Sequence, residues 1–188
     1  SGDGIDTISA GSGDDLIVLA NDDLTTGIAY NASFHVTDFN AAVGTGNDNI
    51  SGQEGLDTIY NNDGADIIDG GTEVDDLFYE GGTQGVVVEL DGTSNASTDS
   101  YGNTETIRNI ENVTGTEFDD TFRGNDSENT LIGGDLDDTF YISIGDDKIQ
   151  GDSGSEDLID FSEIIIDGTA NDAIIDNNVD LEDQDNAV

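Results

Sequence analysis

Aspartate and a branched apolar residue recur at even spacing within residues 44–78, GTGNDNISGQEGLDTIYNNDGADIIDGGTEVDDLF. The aspartates lie nine residues apart, at Asp48, Asp57, Asp66 and Asp75. Two residues after each aspartate comes Ile50, Ile59, Ile68 or Leu77. A period of nine is neither a helix heptad nor a plain alternating strand, but it is the period of a stacked turn. Carboxylates repeated at one point of stacked turns are hard oxygen ligands, which calcium prefers.

The positions of the nine-residue unit have separate physical roles. Glycine clusters at positions one, two and four, where a tight turn needs positive φ and close backbone approach. Position six is aspartate, whose short carboxylate can fold back into its own turn. Position eight is Ile, Leu or Phe in every unit, so positions seven to nine predict a short strand with its middle side chain inward. Stacking such units builds parallel strands around an apolar column and aligns carbonyls and carboxylates along each edge.

Eleven units fall into three blocks, at residues 1–18, 43–78 and 115–159. The third block departs most from the pattern, because Asn129 replaces the aspartate and Glu156 occupies position six with Asp157 beside it. Position four, usually glycine, holds Glu73, Phe118, Ser127 and Leu136 in four of the units. We expect calcium to bind weakly or not at all at the departing turns.

With these repeats the sequence resembles the RTX (repeats-in-toxin) family of calcium-binding nonapeptide proteins. The resemblance implies an all-β fold, a right-handed parallel β-roll with two repeats per coil. It also implies several calcium ions, each held between repeats n and n+2 by aspartate carboxylates and turn carbonyls. The implied pairs are Asp48 with Asp66, Asp57 with Asp75, Asp120 with Asp138, and Asn129 with Asp147. The implied metal-binding residues are Asp6, Gly11, Gly13, Asp15, Gly44, Gly46, Asp48, Gly55, Asp57, Gly64, Asp66, Gly71, Asp75, Asp120, Asn129, Gly134, Asp138, Gly145, Asp147, Gly154 and Asp157.

The charge of the chain excludes several kinds of partner. Forty-four acidic residues stand against three basic ones, a formal net charge of −41. Such a chain repels itself out of a compact state unless a cation binds it. Nucleic acid and anionic membrane are poor partners, because almost nothing can neutralise a phosphate. Cysteine is absent, so neither a disulfide nor a thiolate metal site is available.

Two insertions interrupt the repeats. Residues 19–42 break the register and contain the only histidine, His35. Residues 79–114 span four nonapeptides, so the phase of the coils can be kept across them. Within this strand-loop-strand insertion we predict strands at 85–90 and 105–113 and an exposed loop between them. Residues 160–188 are predicted to be a capping segment and an acidic tail, with one continuous domain over residues 1–170.

The insertions leave alternative functions open. In a ligand-binding adhesin module, Tyr30, His35, Tyr79 and Tyr101 would line a calcium-assisted pocket for a sugar or peptide. The plainer alternative is that these aromatic residues cover open edges of the roll. An ice-binding face is disfavoured because no regular threonine array is present. An enzyme is disfavoured because the repeat explains most aspartates and no nucleophile motif accompanies His35.

The sequence therefore predicts a calcium-dependent β-roll module of a secreted, adhesin-like bacterial protein rather than an enzyme. The resemblance implies export by a type I system and folding outside the cell, where calcium is more abundant. The module is expected to be a scaffold, or a secretion and folding aid, beside neighbouring domains of a longer chain. No nucleic acid or membrane insertion is expected.

Overall fold

The computed structural model describes residues 7–12, 16–18, 46–61, 63–79, 81–90, 97–141, 143 and 145–160. Within these ranges the secondary structure is entirely strand and turn, and no helix there could cross a membrane. The strands are β1 (Thr7–Ser12), β2 (Leu16–Val18), β3 (Asn49–Glu54), β4 (Thr58–Asn61), β5 (Ile67–Thr72), β6 (Asp76–Tyr79), β7 (Val87–Glu89), β8 (Ser97–Thr98), β9 (Thr104–Arg108), β10 (Asn112–Thr114), β11 (Thr121–Arg123), β12 (Thr130–Asp135), β13 (Thr139–Tyr141), β14 (Lys148–Ser153) and β15 (Leu158–Asp160).

The strands form two sheets, and in the regular coils the chain passes alternately from one to the other. Sheet A has nine strands in the order β1-β3-β5-β9-β8-β7-β11-β13-β15, and sheet B has six in the order β14-β12-β10-β6-β4-β2. Neighbouring strands are parallel except where β8 pairs with β7 and β9. In regular coils the facing residues are two units apart, as with Asn49 and Ile67 in sheet A and Thr58 and Asp76 in sheet B. This arrangement confirms the predicted parallel β-roll of two nonapeptides per coil.

The core is a single column of apolar side chains between the two sheets. Along each regular strand the middle side chain is buried and its neighbours are more exposed, as the alternation of side chains across a strand requires. The column consists mainly of position-eight residues: Ile50, Ile59, Ile68, Leu77, Val88, Ile107, Val113, Phe122, Leu131, Phe140 and Ile149. Phe122 and Phe140 stack with their ring centroids 5.3 Å apart. The strongest part of the apolar pattern therefore forms the core, as predicted.

The insertion at 79–114 is built into the roll. Strand β10 pairs with β6, with Asn112 opposite Asp76, so sheet B continues across the insertion in phase. In sheet A, β9 joins β5 on one side and β7 joins β11 on the other. The short strand β8 runs antiparallel between β7 and β9. The predicted strands at 85–90 and 105–113 correspond to β7, β9 and β10.

The prediction of an exposed loop over residues 91–103 is wrong for its second half. Ser97, Asp99 and Ser100 are at most 2% exposed. The reason is that the Asp99 carboxylate accepts hydrogen bonds from the backbone N–H groups of Tyr101 (2.9 Å), Asn103 (2.7 Å) and Gly64 (3.3 Å), which tie this segment to the roll. The insertion 19–42 and the capping segment and tail, apart from Asp160, lie outside the described residues.

Candidate metal centre

The position-six residues form two rows along the edges of the roll. Row one lies where the chain enters sheet A, and its described acidic members are Asp48, Asp66, Glu105, Asp120, Asp138 and Asp157. Row two lies where the chain enters sheet B and consists of Asp57, Asp75, Glu111, Asn129 and Asp147. The stacking of the strands places each member one coil from the next, except between Glu105 and Asp120 in row one, which are separated by β8 and β7.

Within each row a backbone N–H donates to the carboxylate of the next coil. The four pairs implied by the resemblance are all in contact in this way: Asp48 N–H to Asp66 Oδ1 at 2.7 Å, Asp57 to Asp75 Oδ1 at 2.8 Å, Asp120 to Asp138 Oδ1 at 2.8 Å, and Asn129 to Asp147 Oδ1 at 3.1 Å. Asp138 N–H continues row one to Asp157 Oδ1 at 2.9 Å. One carboxylate oxygen of each acceptor is thereby used to hold the stack.

The second carboxylate oxygen is the distinctive feature of the rows. In Asp66, Asp75 and Asp138 the Oδ2 atom is buried and has no hydrogen-bond partner within the described part of the chain. These three side chains are at most 1% exposed. A buried polar oxygen without a partner is costly and points to a missing ion, proton or water.

Burial also changes the acidity of these groups. Burial raises the pKa of Asp66 and Asp138 to about 7 and that of Asp75 to about 6. The donated N–H groups oppose this rise in pKa, and neighbouring carboxylates such as Asp48 and Asp57 add to it. Without a cation, ionised carboxylates in these rows therefore destabilise the fold at neutral pH.

Glycines at positions one and four make space for the oxygen atoms. A Cβ on Gly133, at position one, would lie 1.9 Å from Asp138 Oδ2. A Cβ on Gly64, at position four, would lie 1.8 Å from the Gly46 carbonyl oxygen and 3.0 Å from Asp66 Oδ1. The glycines thus let a backbone carbonyl of one coil and a carboxylate of the next coil lie in the same turn.

The donor set fits calcium. No group of three or more acidic or histidine side chains in the described residues is arranged to hold a metal ion, so carboxylates alone do not complete a site. Turn carbonyls such as that of Gly46 lie beside the carboxylates and supply further oxygen ligands. Calcium takes six to eight oxygen ligands in flexible geometry and commonly combines carboxylates with backbone carbonyls. Asp66, Asp75 and Asp138 are the residues whose buried oxygens would hold it.

Sequence reasoning missed two members of the rows. Glu105 occupies position six at the start of β9 and accepts the N–H of Asp66 at 3.4 Å. Glu111 does the same for Asp75 at 3.0 Å, ahead of β10. The signal was the pattern of Glu followed two residues later by an apolar residue, Ile107 or Val113, within the insertion. The glycines that mark the other units are largely absent there, and this concealed the repeat.

Glu105 lies in a cluster of buried polar groups. It is 0% exposed, and burial together with the neighbouring carboxylate of Asp66 raises its pKa to about 10. The Asn61 side chain opposes this rise in pKa, and burial also raises the pKa of the nearby Tyr79 hydroxyl. Glu105 is therefore uncharged at neutral pH in the metal-free protein.

The remaining predicted site residues fall into three groups. Asp6, Gly13, Asp15, Gly44, Tyr30 and His35 lie outside the described residues. Tyr79 is 2% exposed and belongs to the apolar core, and its part in a ligand pocket stays a prediction. Its position in β6, directly opposite Asn61 of β4, turns its ring inward. Tyr101 is half-buried, and its part in ligand binding stays a prediction.

A parallel β-roll with buried carboxylates along both edges is a calcium-binding repeat module. The sequence profile of the RTX calcium-binding nonapeptide repeat matches the chain in four copies, over residues 1–25, 43–77 and 109–140. The chain therefore carries RTX nonapeptide repeats, which bind several calcium ions per repeat domain. No curated protein matched the chain.

Proposed function

We propose that this β-roll is a calcium-triggered folding module of a bacterial protein exported by a type I system. Inside the cell, where calcium is scarce, the chain stays extended and passes through the exporter. Outside, calcium neutralises the two rows and closes the coils. The module then acts as a stiff, non-enzymatic scaffold in a surface protein of the adhesin type. RTX repeats are typical of proteins secreted by this route, which supports the proposal.

The observation that carries the proposal is the set of buried Oδ2 atoms in Asp66, Asp75 and Asp138. A buried ionised carboxylate costs several kcal/mol unless a counter-ion or hydrogen bonds compensate it. The chain has three basic residues for 44 acidic ones, so it cannot neutralise the rows itself. Folding and cation binding are therefore coupled, because the site is assembled only when the coils stack.

The charge also supports the order of events. At a formal net charge of −41 the unfolded chain repels itself and stays expanded, which suits passage through a narrow channel. Each bound calcium ion neutralises two negative charges and so weakens the electrostatic repulsion between neighbouring coils. Binding to the folded state alone stabilises it in proportion to the logarithm of the calcium concentration. A module of this kind is switched by the difference in calcium across the membrane.

The test is a calcium titration followed by far-UV circular dichroism. It starts in excess chelator and ends at about 10 mM calcium, a range that covers the affinities of extracellular calcium modules. We expect a cooperative gain of β-structure with a midpoint of roughly 0.1–1 mM. Magnesium at the same concentrations is the control, because its small octahedral shell suits these sites poorly. Equal β-structure in chelator and in calcium would refute calcium-triggered folding.

A further inference from the structure

Two kinds of turn can be distinguished in the described part of the roll, and they differ at position two of the nonapeptide. In the first kind, which we call open turns, the residue at position two has a positive φ and the strand continues through it for six residues. Open turns contain Gly11 (φ 114°), Gln53 (82°), Gly71 (118°), Gly134 (122°) and Asp152 (63°), which lie within β1, β3, β5, β12 and β14. In the second kind, closed turns, the strand ends at position nine. Closed turns follow β10, β11 and β13 and contain Thr116, Asn125 and Ser143 at position two; the φ of Thr116 and of Asn125 is not positive.

In closed turns the position-two residue donates hydrogen bonds to the position-six side chain of the same turn. Thr116 N–H donates to Asp120 Oδ2 at 2.6 Å, and its hydroxyl lies 3.0 Å from Oδ1. The Ser143 backbone N–H donates to the Asp147 carboxylate, and the Ser143 hydroxyl, which donates to the Asn125 carbonyl oxygen, lies 3.3 Å from Asp147 Oδ2. Both oxygens of each carboxylate thus have protein donors, since Oδ1 of Asp120 and of Asp147 also accepts a backbone N–H of the neighbouring coil.

The closed turn of Asn129 goes further. Asn125 N–H donates to Asn129 Oδ1 at 2.8 Å, and Asn129 Nδ2 donates to the Glu111 carbonyl oxygen at 3.1 Å. The amide nitrogen therefore donates to a backbone carbonyl oxygen that would otherwise be available to a cation. Asn129 is 0% exposed, and its side chain satisfies its hydrogen bonds without any ion.

In the open turns of Asp75 and Asp138, the described residues include no donor at position two to the position-six carboxylate. The Oδ2 atoms of Asp75 and Asp138 are buried and unpartnered among the described residues, and both carboxylates lie in open turns that carry glycine at position two. The left-handed glycine continues the strand instead of folding back, so neither its N–H nor a side chain reaches Oδ2. The two turn types therefore differ in the partner of the second carboxylate oxygen. In closed turns the protein supplies a hydrogen-bond donor, and in open turns a cation must bind the oxygen.

We propose that the conformation at position two selects which repeats bind calcium: open turns bind it, and closed turns replace it with hydrogen bonds from the protein. This inference rests on the proposed calcium-triggered folding and specifies its sites. The sites of Asp75 and Asp138 are then separated by calcium-free turns at Asp120 and Asn129.

The test compares the same substitution in the two kinds of turn of the full chain. Asp138→Asn replaces the unpartnered oxygen of an open turn with an NH₂ group, which cannot bind a cation. Asp147→Asn makes the same charge change in a closed turn, where the amide nitrogen can donate to Ser143 Oγ and the amide oxygen can still accept Asn129 N–H. The number of calcium ions bound per chain is measured by isothermal titration calorimetry, after circular dichroism has shown that each variant is ordered in saturating calcium.

We expect Asp138→Asn to lose one bound calcium and Asp147→Asn to keep the wild-type number. Asp75→Asn, in a different open turn, should also lose one, and it serves as the open-turn variant if Asp138→Asn does not fold. Loss of one ion from Asp147→Asn would overturn the inference. Retention of the wild-type number by the open-turn variants would overturn it as well. Both results leave calcium-triggered folding intact, whereas failure of the wild-type chain to bind calcium refutes the proposed function itself.

Discussion

Gly133→Ala tests whether position-one glycines hold the carboxylate in place for calcium. Gly133 precedes the open turn of Asp138, and a Cβ there would lie 1.9 Å from Oδ2 and 2.6 Å from Cγ of that residue. Ordinary contacts between such atoms are about 3.5 Å. Gly133 has no positive φ, so alanine strains no backbone angle and the whole effect comes from the carboxylate.

The magnitude follows from the size of this overlap. The Asp138 oxygen must move by more than about 1 Å, and overpacking of this kind costs roughly 1–3 kcal/mol. Calcium–oxygen distances span only about 2.3–2.6 Å, so an oxygen displaced this far no longer binds the ion. We therefore expect Gly133→Ala to bind one calcium ion fewer than the wild type. In saturating calcium its free energy of unfolding should fall by more than the cost of overpacking, because the binding energy of that ion is lost as well.

The assay is urea unfolding followed by circular dichroism in saturating calcium, together with the calcium count from calorimetry. Gly124→Ala is the matched control, because Gly124 is also at position one but begins a closed turn. Its Cβ would lie 2.8 Å from Asn129 Oδ1 and from Ser143 Oγ, a milder overlap with side-chain ends. The control should keep the wild-type calcium count and lose less stability. If the two variants lose the same stability and neither loses calcium, position-one glycines serve only backbone packing.

Two further predictions concern protons. Because the pKa values of Asp66 and Asp138 rise from 3.8 to about 7 on folding, the folded chain binds protons that the unfolded chain has released, so its stability falls as pH rises from about 4 to 7. In chelator, acidification from pH 8 to pH 5 should therefore increase the β-structure seen by circular dichroism, and a decrease would contradict the assigned burial. Because the pKa of Glu105 is about 10, Glu105→Gln should barely shift the calcium midpoint of folding, whereas Glu105→Ala should raise it. Equal shifts in both would show that Glu105 acts as a charged ligand.

Much of the fold could be predicted because the nonapeptide period encodes local geometry. Position eight carries an apolar side chain in every regular unit, and all of its described members from Ile50 to Ile149 are buried. The spacing of two units between facing strands follows directly from the repeat. The two rows of carboxylates follow for the same reason, since identical positions in stacked coils lie above one another.

Irregular units were not predictable in this way. Glu105 and Glu111 enter the rows from units without the usual glycines, and their membership is visible only in the pairing of β9 with β5 and of β10 with β6. Asp157, which the resemblance already implied as a metal-binding residue, takes the place of Glu156 in row one, but the reason is structural: β15 pairs with β13 one residue out of the regular spacing. Strand pairing across coils decides these positions, and local composition does not encode it.

The sequence by itself therefore determined the class of the fold, the column of core residues and the kind of ion, because each depends on residue type repeated at fixed spacing. Only the tertiary structure decided which carboxylates need that ion. Asp138 and Asp147 occupy the same position of the repeat, but Asp138 has a buried oxygen without a partner among the described residues, whereas Asp147 accepts the backbone N–H groups of Ser143 and Asn129. Hydrogen-bond satisfaction depends on φ at position two and on donors from neighbouring coils, which are properties of the folded chain.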